Sequence, residues 1–509
     1  IEVALAEAYH RYPCLGTAGI KQVINGPFTF APDGNPLVGP MPGLPGYWSA
    51  CAVMAGFSQG GGVGRSVAEW MVEGEPSSDV FAMDVARFGD YTTKEYTRPK
   101  VMENYQRRFA ITYPNEELPA ARPLHTTPAY DIWKAQNAVF GTAYGMEAVN
   151  YFAPAGEEPY EIPSFRRSNA FATVGEECRV VRTAVGLNEI HNFSKFLVSG
   201  PGAEDWLNRI LANRMPKPGR IVLSPMLNPY GKLVGDLTVS HIAESRFQIV
   251  GSYAAQAYHM RWFLSHLPPS GVEIENISDA RIGFQIAGPR ARDLLGRITN
   301  QDLSSASFPF LGVREIAVGE LRAIVNRISY TGDLGYEIYV DRDDQVALYH
   351  LLKEAGQEYG LRPFGMRAMM SLRLEKSFGS WFREYKPDYT PAETGLDRFV
   401  NFNKGDFIGR DAALAEKDNP PARCLVTMVV EAGDADVWAD EPIWIDGSVK
   451  GFCTSGGYSH YAEKSIALAL VPREAAKPGL EVEIEILGDM RYARLIEKPL
   501  FDADGARMR

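Results

Sequence analysis

Between Ile221 and Ile242 the chain reads IVLSPMLNPYGKLVGDLTVSHI, two β-rich runs on either side of Asn228-Pro229-Tyr230-Gly231. Those four are turn residues, so the segment predicts a strand, a tight loop and a returning strand. If Leu233 to Ser240 is one strand, Leu233, Leu237 and Val239 share a face and Val234, Asp236 and Thr238 share the other. Asp is depleted in strand interiors, and burying its charge without a partner costs several kcal/mol or forces protonation. On this segment alone a solvent-facing Asp236 accounts for the pattern. A second segment, Asn326 to Val340 (NRISYTGDLGYEIYV), repeats the design with Glu337 on its return strand. Two strand carboxylates on matched hairpins are harder to assign to solvent.

The chain has 509 residues, enough for about three or four domains. Its 45% hydrophobic and 23% charged residues are those of a globular protein, and a net charge of -11 argues against nucleic acid, which is held by clustered Lys and Arg. No apolar run reaches the length of a membrane span, and the N-terminus lacks a signal peptide's pattern. Cys14, Cys51, Cys178, Cys424 and Cys453 are widely spaced without a CxxC pair, and the eight histidines do not cluster, so free thiols in a reducing compartment and no metal site are expected. The chain starts with Ile1 in a run, Ile1 to His10, that reads as a helix under way. A longer natural polypeptide is therefore expected.

Residues 11–92 are rich in Gly and Pro, with a turn at Pro32-Asp33-Gly34. An apolar strand, Tyr47 to Gly56, leads through a glycine loop, Phe57 to Gly64, into a helix reaching about Glu73. A strand, a glycine loop and a helix start offer bare N–H groups and the positive end of a helix dipole. The spacing is not that of the dinucleotide fingerprint, and close helix packing explains such a loop equally well. Residues 93–165 read as a connector, with a helix from Ile132 to Phe152 interrupted at Gly141 and Gly145 and a linker at residues 153–159. Residues 166–415 mix strands (Val180 to Val185, Phe247 to Val250) with helices (Gly202 to Leu211, Ala254 to Leu267, Pro289 to Ile298, Asp344 to Tyr359, Gly365 to Lys376). The similar stretches Ser199 to Leu207 and Ala287 to Leu295 suggest an internal duplication. From Pro420 onward short strands with Gly or Asp turns predict a small barrel or sandwich, assigned to residues 416–509.

The helix Gly365 to Lys376 (GMRAMMSLRLEK) is apolar nearly all round and so is expected to be buried, which leaves Arg367 in need of an anion. A structural partner and a ligand carboxylate serve equally well.

The motifs MLNPYGKLVGDLTV, YTGDLGYEI, RAMMSLRLEK and KGDFIGRDA resemble the tetrahydrofolate-binding fold of glycine-cleavage aminomethyltransferases. INGPFTFAPDGNPLVGP, GFSQGGGVG and EKSFGSWFREYKPDYTPAE are similar to the dimethylglycine and sarcosine dehydrogenases. The resemblance implies a multidomain α+β chain. Its parts would be the C-terminal remnant of an FAD-dependent amine oxidoreductase domain (1–92), a connector (93–165), an aminomethyltransferase-like folate domain (166–415) and a C-terminal β-barrel (416–509). By position it implies Asp236 as catalytic acid/base, Tyr330, Glu337 and Arg367 as folate-binding residues, and Gly56, Phe57, Ser58, Gln59, Gly60 and Gly61 beside the flavin. FAD and tetrahydrofolate are the implied cofactors.

The function so implied is oxidative N-demethylation of dimethylglycine, sarcosine or a related N-methyl amine, with the one-carbon unit captured as 5,10-methylenetetrahydrofolate. Electrons would pass to oxygen or an electron-transfer protein, in the bacterial cytoplasm or the mitochondrial matrix. Two features depart from the pattern. The ADP-binding glycine motif and the flavin-tethering histidine of these dehydrogenases belong ahead of Ile1, and Gly251-Ser252 stands where aminomethyltransferases carry Asn-Ala. The alternatives are a stand-alone folate-dependent aminomethyltransferase or demethylase, and a non-catalytic folate-binding subunit of a separate flavoprotein.

Overall fold

The computed structural model describes residues 2–509. Ile1, the first residue of the expected N-terminal helix, lies outside them. That helix is α1 (Glu2–Arg11), and a short ladder pairs β1 (Leu37–Pro40) with β2 (Trp48–Cys51). Helix α2 (Gly56–Glu73) corrects the glycine-loop expectation, because its first two turns are the glycine-rich stretch itself. Glycine disfavours a helix by roughly 1 kcal/mol per residue relative to alanine. Here burial of Val63 and Trp70 on the packed side offsets that cost, and Gly74, with φ of 87°, ends the helix in the left-handed conformation.

After α3 (Lys94–Gln106) and α4 (Tyr130–Lys134), residues 138–152 form the antiparallel hairpin of β3 (Ala138–Ala143) and β4 (Met146–Phe152). The helix expected over Ile132 to Phe152 is therefore wrong beyond α4. Tyr144 and Gly145 take φ of 52° and 77°, a pair of left-handed residues that makes a tight hairpin turn and stops a helix. The strand expected at Val180 to Val185 is corrected in the opposite sense: α5 (Phe171–Thr183) includes all but its end. Val181 is β-branched, but it packs against Ala287 and Phe364, and that tertiary contact overrides local preference.

The elements that follow build two sheets. They are β5 (Val185–Glu189), β6 (Phe193–Ser199), α6 (Ala203–Ile210), β7 (Ile221–Leu227), β8 (Leu233–Ala243), β9 (Arg246–Ser252) and α7 (Gln256–Ser265), then β10 (Glu273–Asn276), β11 (Arg281–Ala287) and α8 (Ala291–Arg297). After these come β12 (Gly312–Val318), β13 (Leu321–Arg327), β14 (Gly335–Asp341), α9 (Gln345–Gly356), β15 (Leu361–Pro363) and α10 (Met366–Glu375). One sheet has the order β10-β6-β9-β8-β7 and the other β12-β13-β14-β11-β5-β15. Both expected hairpins form, β7 with β8 and β13 with β14. The outer face of the first sheet buries Phe196 and Leu237 against Leu207 of α6 and Phe263 of α7. The outer face of the second buries Phe284 and Ile338 against Leu294 of α8, Leu348 of α9 and Trp133 of α4. The inner faces meet through Ile221 and Val250 on one side and Val313, Ile324 and Tyr339 on the other.

The duplication read from sequence has a physical counterpart. Gly200 and Gly288 both take positive φ, of 113° and 136°, just before α6 and α8. In each turn the glycine carbonyl accepts from the amide three residues on, Ala203 N and Ala291 N, at 3.0 Å.

Gly283 on β11 marks the tightest approach in the second sheet, because a methyl group there would land on the Ile338 carbonyl of β14. Gly283→Ala is expected to lower stability by about 2 kcal/mol or more through overpacking, read as a lower Tm.

Beyond α11 (Pro391–Thr394) and α12 (Arg410–Asp418), six strands close a barrel: β16 (Arg423–Val430), β17 (Pro442–Ile445), β18 (Ser448–Ser459), β19 (Lys464–Pro472), β20 (Glu481–Ile486) and β21 (Asp489–Ile496). Helix α10 packs against β18 and so ties the barrel to the sheets.

Candidate functional site

Strand register decides which side chains enter the space between the sheets. Thr238 pairs with Val250 and Ser240 with Gln248, and Val250 pairs in turn with Lys195. Val250 belongs to the inner packing, so Asp236, Thr238, Ser240, Gln248 and Lys195 project from the inner face. Across the other sheet a single row runs Asn326, Glu337, Gln285, Asn188, two residues along from the row containing inner-facing Tyr339 and Ile324 and so on the same face. The two carboxylates therefore lie on sheet faces that look at each other.

This interior is polar and poorly satisfied. Ser240 Oγ, both ends of the Gln248 and Asn326 amides and Gln285 Nε2 are buried without a hydrogen-bond partner among the described residues. Folded proteins rarely leave such groups unmatched, so the set is suited to a flat ligand with its own N–H and C=O edges. A pterin has that edge chemistry.

Asp236 retains some accessible surface but is enclosed by protein, as befits a residue on the wall of an internal space. Enclosure pushes its carboxyl up to about 7, with a further rise from Glu384 and an opposing pull from its own backbone N–H. Tyr330 and Tyr385 stand in the same field, their hydroxyls raised chiefly by burial and also by Asp236 and Glu384. Tyr330 Oη donates to the Gly379 carbonyl at 2.8 Å, and the Gly379 amide donates to Tyr385 Oη at 3.2 Å. Glu384 is fully buried and accepts from Arg373 Nη1 at 3.2 Å, from Ser380 N at 2.9 Å, and from Thr454 and Ser455 of β18 at 2.6 and 2.5 Å. The barrel thus fixes the loop that carries Tyr385.

Glu337 has one hydroxyl donor, Tyr339 Oη at 2.7 Å. Burial raises its carboxyl above the usual range, opposed by Tyr339, the neighbouring Asn326 and the charge of Lys195.

Arg367 stands apart from these groups. Its side chain is one-fifth exposed and binds Glu161 at 3.1 Å and Asn115 Oδ1 at 2.6 Å. It lines a cleft of about 610 Å³ between the connector, α5, α10 and the barrel. The fully buried guanidinium on α10 is Arg373, which also borders that cleft and reaches the field of Tyr330. Arg373, Glu384, Tyr385 and Lys195 were not singled out from sequence. For Arg373 a signal existed, since it lies between Leu372 and Leu374 on an apolar helix.

On the flavin side, Gly56 to Gly61 form the exposed start of α2, and a side chain added at Gly56, Gly60 or Gly61 would touch nothing. The packed side of α2 is anchored through Trp70, which lies under the Arg261 guanidinium of α7, itself paired with buried Asp84 at 2.5 Å. Among the described residues no group of three His, Cys, Asp or Glu could hold a metal, and no helix is long and apolar enough to cross a membrane.

Comparison with protein families adds three matches: an FAD dependent oxidoreductase central domain at residues 73–127, a GCVT N-terminal domain at 129–404 and a glycine cleavage T-protein C-terminal barrel domain at 423–502. The chain belongs to the glycine cleavage T-protein family. Human mitochondrial dimethylglycine dehydrogenase is 38% identical over 505 residues, 99% of this chain and 58% of that protein. An aminomethyltransferase of Caldanaerobacter subterraneus subsp. tengcongensis is 31% identical over 333 residues, 65% of this chain and 88% of that protein. The crystal structure of glycine cleavage system aminomethyltransferase T from Bartonella henselae shares the fold, with a TM-score of 0.65 and 23% identity over 75% of this chain and 99% of that one. Its relatives thus include both T-proteins and dehydrogenases that continue the chain with further sequence: this chain spans 58% of the human dehydrogenase's length.

Proposed function

We propose that this chain carries the folate site of an N-methyl amine demethylase, together with the part of the flavin domain that adjoins it. The overall reaction is oxidation of dimethylglycine, sarcosine or a related N-methyl amine, with the one-carbon unit captured as 5,10-methylenetetrahydrofolate. The observation that carries this reading is the pair of acids, Asp236 and Glu337, facing into an interior lined by unmatched amides and hydroxyls.

When bound, tetrahydrofolate supplies amine nitrogens that take up a one-carbon unit, and flavin supplies a hydride acceptor. The chain's own residues bind, orient and move protons. Glu337 accepts from the pterin's N–H edge, a charge-assisted contact that fixes the ring. Asp236, with a carboxyl near 7, can take a proton in one step and return it in the next at physiological pH. Its negative form also favours positive charge on a nearby nitrogen. Tyr330, held by the Gly379 carbonyl, lies within the field of Asp236. Arg367, at the cleft, is the proposed contact for the acidic tail of the folate. The open glycine face of α2 gives a flavin ring room to approach bare backbone N–H groups. The compartment proposed is the bacterial cytoplasm or the mitochondrial matrix.

Titration with 5-formyltetrahydrofolate tests the reading. The chain should bind it, and Glu337→Gln should weaken affinity at pH 7.5 by ~10–100-fold, the value of a charge-assisted hydrogen bond. Arg367→Ala should cost less, its contact being nearer solvent. Absence of binding by the folded wild-type chain would remove the proposal.

A further inference from the structure

Lys195 of β6 is fully buried, yet among the described residues its ammonium reaches only the carbonyls of Ile190 and His191, at 3.4 and 3.5 Å, the long end of hydrogen bonding. It makes no ion pair among the described residues, which is unusual for a charge withdrawn from water. Three carboxylates from neighbouring elements act on it: Asp279 from the β10–β11 loop, Glu337 of β14 and Glu189 of β5. Two of them are provided for elsewhere. Asp279 is exposed to water and accepts from Tyr253 Oη at 2.6 Å. Glu189 accepts from Trp133 Nε1 at 3.1 Å and Gln345 Nε2 at 2.5 Å, with His191 Nδ1 at 3.3 Å. Glu337 is only 9% exposed and, among the described residues, accepts from the Tyr339 hydroxyl, with the Asn326 amide beside it and no cation paired to it.

We infer that Lys195 is a positioning residue for the folate site, the cation that keeps Glu337 ionised so that it accepts from the ligand's N–H edge. This rests on the folate reading above. Lys195 and Glu337 project from facing sheets, so the charge acts across the ligand space rather than along one strand. Burial lowers the Lys195 ammonium to about 7 while Asp279, Glu337 and Glu189 support its charge, and the same burial raises Glu337. Burial thus works against the charge of both groups, and each supports the charge of the other. With the cation removed, the Glu337 carboxyl rises further, and the protonated acid forfeits an acceptor site. The loss is therefore largest at low pH.

The test is the affinity for 5-formyltetrahydrofolate between pH 5.5 and 8.5, measured for the wild type, Lys195→Met, Lys195→Arg and Glu337→Gln. Lys195→Met should bind ~10-fold more weakly at pH 6 and nearly normally at pH 8.5, equivalent to a shift of about one pH unit in the midpoint. Lys195→Arg should restore the wild-type profile, and Glu337→Gln should flatten it. If Lys195→Met does not fold, Lys195→Gln, which keeps a polar group without the charge, replaces it. Equal weakening at every pH would mean that Lys195 only supports packing, and unchanged affinity would likewise overturn the inference. A folded wild type that ignores the probe removes the folate reading and this inference with it.

Discussion

Asp236→Asn is expected to slow one-carbon transfer by ~10²–10⁴-fold, the usual contribution of a positioned acid/base, while affinity for 5-formyltetrahydrofolate changes by no more than about threefold. The substitution keeps the shape and removes only the capacity to exchange a proton. The measurement is the rate at which the chain accelerates exchange of labelled formaldehyde carbon into 5,10-methylenetetrahydrofolate, above the uncatalysed exchange. The sign of the pH dependence follows from the raised carboxyl: the carboxylate accepts the proton, so the wild-type rate should climb as pH rises through about 7. The Asn variant should lack that limb. An Asp236 that matters only for packing would give a lower Tm and a parallel pH profile.

Much of this site was legible because its parts are local. The hairpins at Asn228 to Gly231 and Thr331 to Gly335 are set by turn residues, and period-2 alternation placed Asp236 and Glu337 on strands without knowledge of the fold. The barrel was legible for the same reason. What could not be read was tertiary. Residues 138–152 hold enough Ala, Met and Glu to look helical, and the Tyr144-Gly145 reversal is visible only as a pair of positive φ values. Arg367 and Arg373 share one helix, but the anion that selects Arg373 is Glu384, in an irregular loop whose place is set by β18. Lys195 is unmarked in the sequence, because its burial is made by the second sheet laid over it.

The hairpin that presents Glu337 depends on a buried charge cluster, and breaking it is the largest stability effect expected. Arg182 of α5 bridges Asp333, in the turn between Tyr330 and Glu337, at 2.9 Å and Glu375 of α10 at 2.6 Å, and both carboxylates are fully buried. Its guanidinium lies 3.5 Å over the Phe501 ring, and Arg507 Nε donates to the other oxygen of Asp333 at 2.8 Å. Residues 501–507 thus close over the back of the turn, with Asp502 held by Lys376. Arg182→Met would leave two buried carboxylates with only the half-exposed Arg507 and hydroxyl or amide donors, a loss of about 3–5 kcal/mol in stability. Calorimetric unfolding measures it. Restoring charge balance by adding Glu375→Gln should recover part of that loss, because the penalty comes from an uncompensated charge rather than from the missing contact. Arg507→Ala should cost much less in Tm, since that side chain reaches water, but it removes the clamp on Asp333. Its clearest effect should be faster amide exchange in residues 331–335 and weaker 5-formyltetrahydrofolate binding, because a loose turn lets Glu337 wander from the geometry its charge-assisted contact requires.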